Sequence, residues 1–191
     1  MIETARRHGT VAGWSLDVDT HLQRALGAID AATHGLTPEQ IARPVAGRWS
    51  IAQILEHLAL ACSRGADAAR EAVATGRPRA TRPTLRQSAI RSMVVDLGYF
   101  PRVRAPRGVV PSSDPDPRRA LAAARDALAD LDVVLAEAAA RFGEDAPLFD
   151  HPYFAGMSAA QWRRFHWRHT LHHVRQIRQR VGDAPTPTRS P

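Results

Sequence analysis

The chain has 191 residues, enough for one domain with a real core. Alanine and leucine dominate its apolar residues and aromatics are scarce, which favours helices over a sandwich of strands. Its net charge of +7 is carried by arginine without a single lysine, which leaves an anionic ligand in play, but the arginines are spread along the whole chain and argue against a nucleic-acid-reading surface.

Cys62 is the only cysteine, so no intrachain disulfide forms and a cytosolic chain is the natural inference. The opening residues, MIETARRHG, lack the apolar core of a signal peptide, and no apolar run is long enough to cross a bilayer. A cytoplasmic protein without a membrane partner is expected.

Residues 1–14 show little periodicity. From Ser15, the positions Leu16, Val18, Leu22, Leu26 and Ile29 recur at helical spacing until Gly35, which predicts the first long helix. Thr37-Pro38-Glu39-Gln40 opens a short turn with proline at the first helical position. The second long helix starts at the capping-box pair Ser50 and Gln53, buries Ile51, Ile54, Leu55, Leu58 and Cys62, and runs to Gly76. His57 lies at the margin of that stripe, about 60° from Ile54 and about 100° from Leu58, where a side chain reaches into a cleft between helices.

A proline-broken stretch, RPRATRP, leads to a shorter helix capped by Thr84 and Gln87, with Leu85, Ile90, Val94 and Leu97 as its apolar positions. The long segment after it has no periodicity and carries Arg102, Arg104 and Arg107; segments of this length in compact domains tend to be lids or disordered. Asp116-Pro117 opens the third long helix, with Leu121, Ala124, Leu128, Leu131, Leu135 and Ala138 as its stripe. DAPLFDHPYFAGM reads as a linker, with His151 and Asp150 beside a proline turn.

The last long helix, from Ser158 to Gly182, carries His166, His169, His172 and His173. At about 100° per residue, Trp162, His166, His169, His173 and Ile177 share one face. His169 and His173 stack on adjacent turns, the spacing by which one helix offers two nitrogens to one metal ion. The same pair also fits a stacked polar cluster or a pH-sensitive patch. A tetrahedral site needs a third protein ligand from elsewhere. His172 points about 60° to 100° away from the pair. Trp167, Leu171 and Val174 form an apolar strip on another side, which suggests a second subunit.

Four long amphipathic helices predict an all-α four-helix bundle with a long excursion, residues 98–115, outside it between the second and third. One domain over residues 1–183 and a disordered tail over 184–191 are expected, and nothing reads as a strand.

Trp49-Ser50, Glu56-His57-Leu58 and the run HTLHHVRQ from His169 to Gln176 resemble the DinB/YfiT-like metalloenzymes. HPYFAGMSAAQW and the arginine-rich excursion resemble a branch of that superfamily known only as a domain of unknown function. The resemblance runs from about Trp49 to Ile177. It implies a bundle that holds a divalent metal, zinc or nickel, through one histidine of the second helix and two of the last, which here are His57, His169 and His173. It also implies transferase or isomerase chemistry with a low-molecular-weight thiol such as mycothiol or bacillithiol. The family often shows arginine-glycine-glutamine after its last histidine; this chain has Val174-Arg175-Gln176.

Two functional readings stay open. One is a metal-dependent transferase or hydrolase acting on a small-molecule substrate through a three-histidine site with an open fourth position. The other is a non-enzymatic dimeric binding module with a structural or vestigial metal, closed by His166 or His172.

Overall fold

The computed structural model describes residues 20–101 and 104–182. Helix α1 spans His21–Thr33, α2 Pro38–Ala42, α3 Ile51–Thr75, α4 Leu85–Arg91, α5 Pro117–Phe142 and α6 Ala159–Gly182. A π-helical turn, Ser92–Asp96, continues α4, and a 3-10 turn covers Arg107–Val109. The four long helices form the expected bundle: α3 lies between α5 and α6, and α1 closes the ring by packing on those same two.

The start signals have a simple cause. Ser50 Oγ accepts from the Gln53 amide while Gln53 Oε1 accepts from the Ser50 amide, and Thr37 with Gln40, Thr84 with Gln87 and Ser158 with Gln161 repeat the arrangement. The first helix begins later than its periodicity suggested. Its cap is Thr20, paired with Gln23, and the Thr20 hydroxyl donates to Asp132 on α5 at 2.8 Å. Leu16 and Val18 lie outside the described residues, as does the expected C-terminal tail.

Where α3 meets α5 the core sets short side chains, Cys62, Ala66 and Ala69 on one helix and Ala124 and Ala138 on the other, beside the larger Leu128 and Leu131, all buried. Small residues let two backbones approach closely, because the side chains at the contact set the interaxial distance. From α1, Leu22 and Ile29 fill the space toward α6, whose Val174 and Ile177 are buried. The apolar strip on α6 is partly covered within the chain: Val174 is buried, and the ring of Trp167, half-buried like Leu171, lies 5.0 Å from that of His21 on α1.

Three expectations need correction. The linker after α5 is a hairpin, with β1 (Pro147–His151) antiparallel to β2 (Ala155–Ser158). Its strands are too short and proline-flanked to show alternation, and what holds them is distant. Residues 79–81 lie across the pair, with the Arg79 amide donating to Leu148 O at 2.9 Å and the Gly156 amide to Thr81 O at 3.1 Å.

Secondly, Leu85 and Leu97 are exposed instead of joining the stripe of Val94. The wide turn, marked by the Leu97 amide bonding to Ser92 O five residues back, turns Val94 and Val95 into the core together and swings Leu97 outward.

Thirdly, the excursion does not stand clear of the bundle. Its 3-10 turn and Ser112 close onto α3, where Glu56 accepts from both the amide (2.6 Å) and the hydroxyl (2.9 Å) of Ser112. Gln53 Nε2 donates to the carbonyls of Ser112 and Ser113. No helix among the described residues is long and apolar enough to cross a membrane.

Candidate metal centre

The core stripe of α3 aims His57 at α6, and the i, i+4 spacing on α6 stacks His169 and His173 in front of it. His57 Nε2 lies 3.3 Å from His169 Nε2, which lies 3.1 Å from His173 Nε2. All three ligand atoms are within 4.8 Å of one another. Four nitrogens at about 2.1 Å from a metal stand about 3.4 Å apart along a tetrahedral edge, so these separations suit one small divalent ion.

Two of the rings are held from behind. His57 Nδ1 sits 2.7 Å from Val109 O; a carbonyl only accepts, so Nδ1 carries the proton and Nε2 keeps its lone pair. His173 Nδ1 lies 2.9 Å from Gln176 Oε1, and the other end of that amide lies 3.1 Å from His172 Nε2. His169 Nδ1 is buried without a hydrogen-bond partner. Its ring is held by stacking instead, 5.4 Å and 9° from Phe165, with Phe100 of the excursion on its flank at 5.6 Å. Trp49 lies 5.0 Å from the His57 ring.

Burial sets the protonation. Desolvation lowers the pKa of all three histidines: His57 despite the Val109 carbonyl, His169 with a further push from His173 and His57, and His173 down to about 3. The three imidazoles are neutral at pH 7, the form that binds metal.

The other candidates fall elsewhere. His172 is half-buried and turned to Gln176, beside the Phe100 ring at 5.0 Å. His166 is one turn deeper, with Nδ1 3.4 Å from Cys62 Sγ. Burial pushes the Cys62 thiol up to about 12 and His166 down to about 3, so the two stay neutral and form no thiolate–imidazolium pair. His151, on the hairpin, stacks on Phe154 at 4.0 Å. Arg104 lines the cleft in front of the histidines, Arg107 lies in the 3-10 turn, and Arg102 lies outside the described residues.

The triad opens onto a cleft of about 1910 Å³. Trp49 and Phe100, the hairpin residues His151 to Phe154, and the α6 residues Arg175 and Gln176 are part of its wall.

A family model described as the DinB superfamily matches residues 21–177. The chain belongs to the DinB superfamily. No curated protein and no solved structure matches it. In this DinB chain, the sequence did not single out Gln176; its i+3 spacing to His173 was the available signal, but the two residues before it, Val174 and Arg175, depart from the resemblance. The Val109 carbonyl was not legible, because any residue supplies one and only the closure of the excursion brings it there. Nor was the part of Glu56, whose partner Ser112 is 56 residues away.

Proposed function

We propose that this DinB protein binds one divalent ion, zinc or nickel, through Nε2 of His57, His169 and His173, and uses it as a metal-dependent transferase or hydrolase. One observation carries the reading. The Nε2 atoms of His57 and His173 present lone pairs when their Nδ1 protons point to Val109 O and Gln176 Oε1, and both face His169 Nε2. His169 has at most one proton to offer there, so at least one of these lone pairs is left without a donor and faces a neighbouring nitrogen at close range. A cation among them removes that repulsion; without one the buried arrangement is costly.

The fit is that of an open site. No fourth histidine, cysteine, aspartate or glutamate among the described residues joins the three, and His166 and His172 are engaged with Cys62 and Gln176. A divalent ion held this way supplies Lewis acidity to a nucleophile brought to its free side. The protein's own residues position and shield: Val109 and Gln176 fix two rings, Phe165 and Phe100 hold the third, and Trp49 walls the site. The cleft exceeds the roughly 300–1,000 Å³ of an ordinary small-molecule site, which leaves room for a substrate beside a low-molecular-weight thiol cosubstrate.

The test is turnover of a thiol-reactive electrophile by the zinc- or nickel-loaded protein with mycothiol or bacillithiol. The reading expects a rate that vanishes on chelation and in His173→Ala. Stoichiometric metal with no thiol binding and no turnover would instead favour the non-enzymatic binding module. For the homodimer, light scattering at micromolar concentration decides: a doubled mass supports it, and a monomer mass removes it.

A further inference from the structure

Five arginines outside the cleft meet carboxylates: Arg70 with Asp67 and Asp130, Arg79 with Glu71, Arg125 with Asp30, Arg163 with Asp132 and Glu144, and Arg164 with Asp96. The cleft is different. Arg64, Arg86, Arg104 and Arg175 line it from α3, α4, the excursion and α6, and none of them pairs with a carboxylate among the described residues. Two more, Arg48 and Arg180, line it while engaged within the protein.

Asp150, the one carboxylate among the described residues of the wall, has both oxygens committed, accepting from the Thr81 amide at 2.7 Å and the Thr81 hydroxyl at 2.8 Å. Glu56, next to His57 in the chain, is likewise taken by Ser112. Arg64 is also placed: its guanidinium lies against Gly108 of the 3-10 turn, where even a methyl group would collide with it. It therefore reaches from α3 to the segment whose Val109 carbonyl orients His57. Four cations converging from four elements on one concave space, over buried neutral histidines, make a field that concentrates anions.

We infer that the substrate of the cleft is a small organic anion with more than one negative charge, carboxylate or phosphate, bound by Arg64, Arg104 and Arg175 with its reacting end toward the three histidines. Guanidinium groups suit this chemistry because their planar donors match carboxylate and phosphate oxygens two at a time. The inference rests on the proposed metal reading for where the reacting end lies, but its charge argument does not. A nucleic acid would use the same charges. It is disfavoured because these cations line a concave space that also contains the triad.

The experiment is calorimetric binding of succinate and of its uncharged isostere succinamide, at low and high salt, to zinc-loaded and to metal-free protein. Succinate is expected to bind at least tenfold more tightly than succinamide, and more weakly as salt rises. Arg64→Ala, Arg104→Ala and Arg175→Ala should each weaken succinate binding about three- to tenfold and together abolish it, whereas Arg125→Ala, on a paired arginine elsewhere, should leave it unchanged. Circular dichroism of each variant shows whether it is folded, and each single variant tests the idea if the triple one is not. Equal binding of the two probes, an unaffected set of arginine variants, or displacement of succinate by a duplex oligonucleotide at lower concentration than by inorganic phosphate would overturn the inference. Arginine-dependent succinate binding by a protein that takes up no zinc would leave it standing and sink the metal reading, while zinc uptake without succinate discrimination would do the reverse.

Discussion

The Nε2 atoms of His57 and His169 lie 3.3 Å apart although 112 residues separate them in the chain. Two helices, a docked excursion and a hairpin cooperate in that approach. α3 brings His57 to the seam with α6, the Val109 carbonyl turns its ring so that the bare nitrogen faces α6, and Phe165 stacks on His169 from the hairpin side.

The closure of the excursion predicts an effect at a distance from the metal. Glu56→Ala removes the carboxylate that holds Ser112 and loosens the turn carrying Val109. Metal affinity should fall roughly 10-fold, the lower end of what losing an outer partner of a ligand costs. The thermal midpoint of the metal-free protein should move little, since the pair is on the surface. An unchanged metal affinity in a competition titration would show that the excursion does not orient His57.

Gly156 tests the packing of the hairpin. A side chain there would meet Thr81 O at 2.7 Å and the Ala80 side chain at 2.8 Å, and backbone cannot yield as a flexible side chain does. Gly156→Ala should cost about 1–3 kcal/mol, read as a lowered midpoint in denaturant. Unaltered stability would mean that residues 79–81 do not lie against β2.

Much of this fold was legible because the helix signals are local. The Ser50–Gln53, Thr84–Gln87 and Ser158–Gln161 pairs each act within one turn, and the i, i+4 spacing of His169 and His173 follows from helix geometry alone. The choice of His57 as their partner came from its place at the edge of a core stripe together with the family resemblance. What could not be read depends on contacts far apart in the chain. The hairpin is held by residues 79–81, and Val109 acts through its backbone. The π-helical turn that sends Leu97 outward breaks the very period on which its burial was argued.

The buried histidines outside the triad predict acid lability. Burial lowers His166 to about 3 and His151 to about 4, while the unfolded chain titrates near 6.5. Below pH 6.5 the unfolded state takes up protons that the folded state refuses, so stability falls as pH drops through 6.5 and continues to fall toward the native values. Each group contributes a slope of about 1.4 kcal/mol per pH unit in that window. Unfolding free energies measured from pH 7 to pH 4.5 should decline, and His166→Phe should flatten the decline. A pH-independent stability over that range would contradict the burial of these rings.

Cys62 should be inert in the native protein. Fully buried, with its thiol pushed up to about 12, it should resist iodoacetamide at pH 8 and react only on unfolding. Rapid native alkylation would show an activated thiol and reopen its pairing with His166.

The central claim is tested most directly by metal content after chelator-free purification, measured by elemental mass spectrometry on three proteins. The wild type should carry about one zinc or nickel ion per chain. His169→Ala, which removes one of three converging nitrogens, should lose most of it, while His172→Ala, whose ring faces Gln176, should keep it. A wild type without stoichiometric metal, or two variants that lose metal alike, would contradict the assignment of His57, His169 and His173 as a metal centre.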